Sequence, residues 1–282
     1  MKTGISSFAF GWAVSRGAPP MDETGVLEFA RRHRLGVMQL GDNLPVHTLN
    51  AERRAELLKA ARAAGVALEL GARGLTEAHL RTYLALCREL GATLLRFVVD
   101  HGEHEPSPLD LVALLRNAVP ELASAGVTLG VENHDRFPAA VLRQIIDDVA
   151  SPCVGICLDT ANSLGAGEGL DHVTALLAPV TVNLHVKDVA ITRLPHRMGF
   201  VIEGRPLGRG QLPIRRTLEQ VRAAGRCSSV VLEAWAPPLP DMQETVRQEL
   251  AWAEASIVTL MNWTESWRAV EPAQSTRGGR VS

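Results

Sequence analysis

Short apolar runs alternate along this chain with longer stretches whose apolar residues recur every three or four positions. Residues 5–8, 37–40, 67–70 and 94–99 are short, apolar and bounded by turn-forming residues, a pattern that predicts β-strands. Between them, residues 22–34, 50–64 and 76–90 predict amphipathic helices. Val26, Leu27 and Ala30 share one face of the first, and Leu80, Leu84 and Cys87 one face of the third. Asn50 and Thr76 stand where helix N-caps belong. A helix over 107–125 follows, and Pro120 is expected to kink or split it.

The second half repeats the pattern, with strands running up to Glu132, Leu158, Val186 and Leu232 and helices over 139–149, 171–177, 214–224 and 242–263. The last helix carries Met242, Val246, Leu250, Ala253, Ile257 and Leu260 on one stripe. A long excursion, residues 188–213, separates the seventh strand from its helix. Strand-helix alternation implies parallel pairing through right-handed crossovers, and eight such units close most simply into a (β/α)8 barrel of the α/β class. The domain reading is one barrel over residues 1–265 and a Gly-, Ser- and Arg-rich tail over 266–282.

Composition narrows the class without changing that picture. The chain has 282 residues, 46% hydrophobic and 21% charged, enough to bury a sizeable core. A formal net charge of -2 provides no global pull toward nucleic acid or anionic membrane. Four scattered cysteines form neither a CxxC motif nor a disulfide framework. No secretory h-region opens the sequence and no apolar run is long enough for a membrane span, so a cytoplasmic enzyme is the expectation. Homo-oligomerisation stays open.

Four of the predicted strands deliver a metal-competent side chain at the same end. The run 128–131 leads to Glu132, 154–158 to Asp159, 182–184 to His185 and 230–232 to Glu233. A buried carboxylate must be paired or bound to a metal. In a (β/α)8 barrel all strand C-termini surround one mouth, so these four side chains are expected to converge there. Three carboxylates and one imidazole form a hard, mixed oxygen-nitrogen set for one divalent ion, Mn²⁺ first, with Mg²⁺, Co²⁺ and Zn²⁺ as alternatives.

The runs Gly130-Val-Glu-Asn-His134, Cys157-Leu-Asp-Thr-Ala-Asn162, Asn183-Leu-His-Val-Lys-Asp188 and Val231-Leu-Glu-Ala-Trp235 resemble the xylose-isomerase-like TIM-barrel superfamily. That superfamily includes sugar isomerases and 3-epimerases, inosose isomerases and dehydratases, and abasic-site endonucleases. The resemblance implies that Glu132, Asp159, His185 and Glu233 hold one divalent cation, and that Glu132 and Glu233 also handle the substrate proton. It implies proton abstraction next to a carbonyl through a metal-stabilised enediolate, on a sugar, keto-sugar or cyclic polyol. Isomerisation or epimerisation is the first expectation. β-Elimination from an inosose or 3-keto-glycoside by a dehydratase or lyase is the alternative. An endonuclease would require extra histidine ligands and a basic groove.

Further candidates surround this set. His134 lies two residues beyond Glu132, on the same side if the strand continues, as a substrate contact or a supporting partner. Asn162 stands where the 3-epimerases tend to carry His, which argues against a standard free-ketose epimerase. Lys187 is read either as a substrate contact or as an ion-pair partner of Asp188 or another carboxylate. Trp235, Trp12 and Phe10 are candidates for an apolar wall against a sugar ring. In the excursion, Arg205 or Arg209 is available to an anionic group, and Arg193 and His196 share the segment. Its glycines lack a P-loop signature and suggest a lid or mouth-shaping turn.

Overall fold

The computed structural model describes residues 1–196 and 198–268. Eight parallel strands close into a barrel: β1 (Lys2–Ser6), β2 (Val37–Leu40), β3 (Ala67–Arg73), β4 (Leu94–Val98), β5 (Thr128–Glu132), β6 (Val154–Asp159), β7 (Thr181–Val186) and β10 (Ser229–Leu232). β10 pairs with both β7 and β1, which completes the cylinder. Between β7 and β10 the chain makes an antiparallel hairpin, β8 (Asp188–Arg193) and β9 (Phe200–Arg205).

The outer layer holds α1 (Gly11–Arg16), α2 (Glu23–Arg32), α3 (Ala51–Ala64), α4 (Glu77–Leu90), α5 (Pro108–Ala125), α6 (Ala139–Val149), α7 (Leu170–Leu177), α8 (Ile214–Ala224) and α9 (Met242–Arg268). Asn50 and Thr76 cap α3 and α4 by accepting from the Arg53 and His79 amides. Both helices end on left-handed glycines, Gly65 and Gly91, a conformation that a Cβ disfavours. Val246, Ala253, Ile257 and Leu260 seat α9 on the barrel. That helix continues through Arg268, into the segment expected as a tail, and residues 269–282 lie outside the described residues.

Two expectations need correction. Pro120 does not split α5, which runs as one helix under a Ser107–Asp110 capping box. Pro120 is exposed, so the carbonyl that loses its amide partner faces water, while Leu111, Leu115 and Leu122 hold the other face in the core. The first strand ends at Ser6 rather than at residue 8, and residues 7–10 form a 3-10 turn. Ser6 starts that turn by accepting from the Phe8 amide.

The excursion is built, not loose. Asp188 accepts from the amides of Gly208, Gly210 and Leu212, tying the far end of the hairpin back to the end of β7. A Cβ on Gly210 would stand 2.1 Å from the Asp188 carboxylate, so only glycine fits that approach.

Register sorts the barrel interior into polar layers. Side chains two apart on a strand share a face. Gln39, Glu69, Asn183 and Ser229 therefore meet inside, with Gln39 donating to Glu69 and Asn183, and Asn183 donating to Ser229. One layer toward the mouth lie Asp159 and His185, which are direct partners across β6 and β7. Among the described residues no cation forms an ion pair with Glu69, and burial raises its carboxyl to about 7 although Ser229 and Gln39 donate to it and the charge of Lys2 opposes the rise.

A folded-state value above the ordinary 4.5 means that the stability it contributes is present below that value and is lost as pH rises through about 7. Glu69→Gln should remove this slope, narrowing the loss of denaturant stability between pH 5 and pH 7.5 by up to about 3 kcal/mol. An unchanged slope in the variant would show that Glu69 ionises as freely in the barrel as in water.

Candidate active site

Glu132, Asp159, His185 and Glu233 meet at the C-terminal mouth of the barrel, each at least 97% buried. Register places them there: Asp159 and His185 face one another across β6 and β7, and Glu233 follows the last residue of β10. Ligand-capable atoms of Asp159, His185 and Glu233 lie within 4.8 Å of one another, and so do those of Glu132, Cys157 and His185. His185 belongs to both groups, with Nδ1 3.2 Å from Glu233 Oε1 and 3.9 Å from Glu132 Oε2.

Cys157 is the weaker donor. It gives its S–H to Asn183, and burial pushes its thiol well above the ordinary range, so a ligating thiolate is disfavoured. Both ring nitrogens of His185 are buried outside any hydrogen bond, whereas Glu132 Oε2 is held by Arg96 in an ion pair. A buried imidazole nitrogen without a hydrogen bond is costly unless something binds it. A hard divalent cation fits that donor set.

Two cations share the site with the carboxylates. Lys187 Nζ stands 3.0 Å from Asp159 Oδ2 and 2.9 Å from Glu233 Oε2, and donates to Asn162 Oδ1 at 3.3 Å. Asn162 in turn donates to Glu132 Oε1 at 2.8 Å. Lys187 therefore does not pair with Asp188, whose carboxylate is taken by the hairpin amides.

Arg96 on β4 has no counterpart in the sequence reading. It is 3% exposed, its Nε pairs with Glu132, Nη1 lies 2.9 Å from Asp42 Oδ1, and Nη2 lies 4.0 Å from Glu233. Its signal was a lone arginine in the apolar run Leu94-Leu-Arg-Phe-Val98, open to the argument that picked out Glu132. Beyond it, Asp42 Oδ2 stands 3.5 Å from Arg73 Nε, and Arg73 Nη2 stands 3.4 Å from His134 Nε2.

Burial sets the direction of each protonation equilibrium and the neighbours then correct it. It raises the Glu132 carboxyl to about 7 against the pull of Arg96. It pushes Glu233 the same way, but surrounding positive charge outweighs it and holds that carboxyl well below the usual range. His185 is lowered to about 4 by burial, with Glu233 opposing, so at neutral pH its ring is uncharged and keeps a lone pair. A neutral imidazole lends Glu233 no charge, which leaves Lys187 and Arg96 as its standing partners. Both cations are penalised by burial, yet the carboxylates around them hold both above their ordinary values. Glu132 and Glu233 thus sit in opposite environments.

The outer candidates divide. His134 touches Arg73 and Asp135, not the four converging side chains. Trp12 and Trp235 line a cavity of about 420 Å³ at the rim, where Trp12 Nε1 donates to the Ala236 carbonyl at 2.8 Å. The third aromatic of that wall is Phe8, because Phe10 is fully buried against Phe29 at 5.0 Å between ring centroids. The early end of β1 causes the exchange. Arg205 pairs with Glu203 within β9, and Arg193 lies over Phe200. Neither has a contact with the four buried side chains.

Residues 3–256 match the family described as xylose isomerase-like TIM barrel. Among curated proteins, the 3-oxo-isoapionate decarboxylase of Pectobacterium atrosepticum is 33% identical over 258 residues, which cover 91% of this chain and 94% of that protein. Among solved structures, D-psicose 3-epimerase with D-tagatose from Clostridium cellulolyticum superposes with a TM-score of 0.71 at 16% identity, covering 94% of this chain and 99% of that one. The IOLI protein with a bound zinc atom gives 0.70 at 15% identity, covering 95% and 99%. Among the described residues no helix is long and apolar enough to cross a membrane. Barrel, mouth and sequence similarity agree, and this chain belongs to the xylose isomerase-like TIM barrel family.

Proposed function

We propose that this chain is a divalent-metal-dependent decarboxylase of a sugar-derived 3-oxo acid, working in the cytoplasm. The observation that carries the reading is charge. Around the mouth, Asp42, Glu132, Asp159 and Glu233 oppose Arg73, Arg96 and Lys187, with His185 neutral. With Glu132 ionised, as ligation of a cation requires, one negative charge is left over, and a divalent cation converts it into one positive charge, the complement of a monocarboxylate. A neutral ketose would meet that charge only after its enediolate forms, whereas a carboxylate meets it on binding. The 33% identical relative, which bears the name of a 3-oxo acid decarboxylase, supports the same chemistry.

Glu132, Asp159, His185 and Glu233 would hold the cation, Mn²⁺ first, with Mg²⁺, Co²⁺ and Zn²⁺ as alternatives. When bound, it supplies Lewis acidity toward the substrate's carbonyl and neighbouring hydroxyl oxygens. Arg96 and Lys187 orient the carboxylate, and their position in a water-poor pocket strengthens each contact. The bond between the carboxyl carbon and its neighbour breaks, carbon dioxide leaves, and the electron pair moves to the 3-oxo group as an enolate. Lys187, held as an ammonium 2.9 Å from the ionised Glu233, gives one proton to the carbon, and Glu233 keeps that ammonium in place. Asn162 and Ser6 steady the two glutamates, Ser6 donating to Glu233 at 2.8 Å.

The position of the two glutamates favours a second reading. Glu132 on β5 and Glu233 after β10 stand three strands apart around the barrel, so proton removal on one face and return on the other would make the site an epimerase or isomerase of a keto-sugar.

In D₂O with a 3-oxo sugar acid, the metal-loaded protein should release carbon dioxide and place one deuterium on the adjacent carbon. Exchange on a neutral ketose without carbon dioxide from the acid would establish the second reading instead. Glu233→Gln should slow release at least about 100-fold while substrate still binds, and unimpaired release would remove Glu233 from the reacting site.

At a hundredfold excess over its dissociation constant, Mn²⁺ should stabilise the fold by about 2.7 kcal/mol, about 5 °C or more in the unfolding midpoint. Asp159→Asn should erase most of that gain. Equal gains in variant and parent would place the ion elsewhere.

A further inference from the structure

Next to the ligand set, over the ends of β2, β3 and β4, lies a second cavity of about 520 Å³. His47, His79, His101 and His104 line it together with Arg73 and Asp42. These histidines arrive from three parts of the chain, His101 and His104 sharing one turn, and none belongs to the four converging side chains. The two compartments share a wall: one oxygen of Asp42 faces Arg96 of the ligand set, and the other faces Arg73 of the second cavity.

The hydrogen-bonding character of this cavity is mixed, and two of its imidazoles have assignable tautomers. His79 Nδ1 lies 3.1 Å from the Gly74 carbonyl, and His104 Nε2 lies 3.0 Å from that of Leu75. A carbonyl only accepts, so each of these nitrogens carries a proton, and the acceptor an imidazole can offer is its other nitrogen. Asp42 adds further acceptors, and Arg73 adds donors. An anion such as phosphate would meet acceptors and a carboxylate. An apolar ligand would leave these groups without partners. Hydroxyl groups, which donate and accept at once, satisfy both kinds.

We propose that this cavity binds the hydroxylated tail of the substrate, a polyol chain extending from the reacting carbonyl across Asp42 and Arg73, and that His79 and His104 select for it. The inference rests on the reading of the mouth as a site for sugar-derived acids, but its test does not require turnover. In Mg²⁺-loaded protein with labelled histidine, D-threonate should shift the ring resonances of His79 and His104. Glycolate, which carries the same 2-hydroxy acid head without the tail, should not.

His79→Leu should weaken threonate binding about 10-fold, as loss of one or two hydrogen bonds predicts, and leave glycolate within about twofold. With a 3-oxo acid that is decarboxylated, the same variant should raise KM for the hydroxylated substrate and spare kcat. Equal weakening of both ligands, undisturbed rings on threonate binding, or a larger ring shift from inorganic phosphate would overturn the proposal. Absence of decarboxylation together with the threonate-specific shifts would refute the decarboxylase reading and leave the polyol subsite standing. The labelled parent protein tests the idea even if the variant does not fold.

Discussion

The arrangement depends on three carboxylates being held together in a volume that excludes water. Glu132, Asp159 and Glu233 are each 3% exposed or less, and like charges at such separations repel strongly in a weakly screening interior. Arg96 and Lys187 make the cluster tolerable without a cation, each placed between two carboxylates. Burying five ionisable groups this way contributes little to stability, because desolvation offsets most of the attraction. What it supplies is a fixed field at the mouth, arranged before substrate arrives.

The barrel sustains that field through its inner layers. Barrel interiors of this class are usually filled with branched apolar side chains. Here the layer below the mouth is a hydrogen-bonded group of Gln39, Glu69, Asn183 and Ser229, with Cys157 donating into it. Gly71 and Gly130 pair with Arg96 on the adjoining strands, where a Cβ would stand 3.2 Å from Gly41 Cα and 3.2 Å from Cys157 Cβ, respectively. Asn133 locks the end of β6 by accepting from the Asp159 amide and donating to the Asp159 carbonyl. The ligand set is therefore braced from below and from the side by groups that have no other evident task.

Much of this was legible in the sequence because strand C-termini follow directly from the apolar runs, and a barrel sends all of them to one mouth. Glu132, Asp159, His185 and Glu233 could be placed together on that ground alone. Arg96 was hidden because its run reads as ordinary core and its partners lie 54 residues upstream and 36 and 137 residues downstream. Phe8 and Phe10 exchanged roles because the turn that stops β1 at Ser6 is set by a hydroxyl cap, which leaves no mark on hydrophobic periodicity. The histidine-lined cavity could not be read at all: His47 and His79 follow β2 and β3, His101 and His104 share the loop after β4, and only the side-by-side pairing of those three strands brings them together.

The central claim is that these four side chains form one cation site whose carboxylates are now shared with Arg96 and Lys187. Anomalous scattering from crystals grown with Mn²⁺ tests it most directly. The account predicts a single strong peak about 2.0–2.3 Å from oxygens of Glu132, Asp159 and Glu233 and from one nitrogen of His185, with Lys187 Nζ moved away from Asp159. A peak coordinated by Cys157, or by the histidines of the neighbouring cavity, with these carboxylates still paired to Arg96 and Lys187, would contradict it.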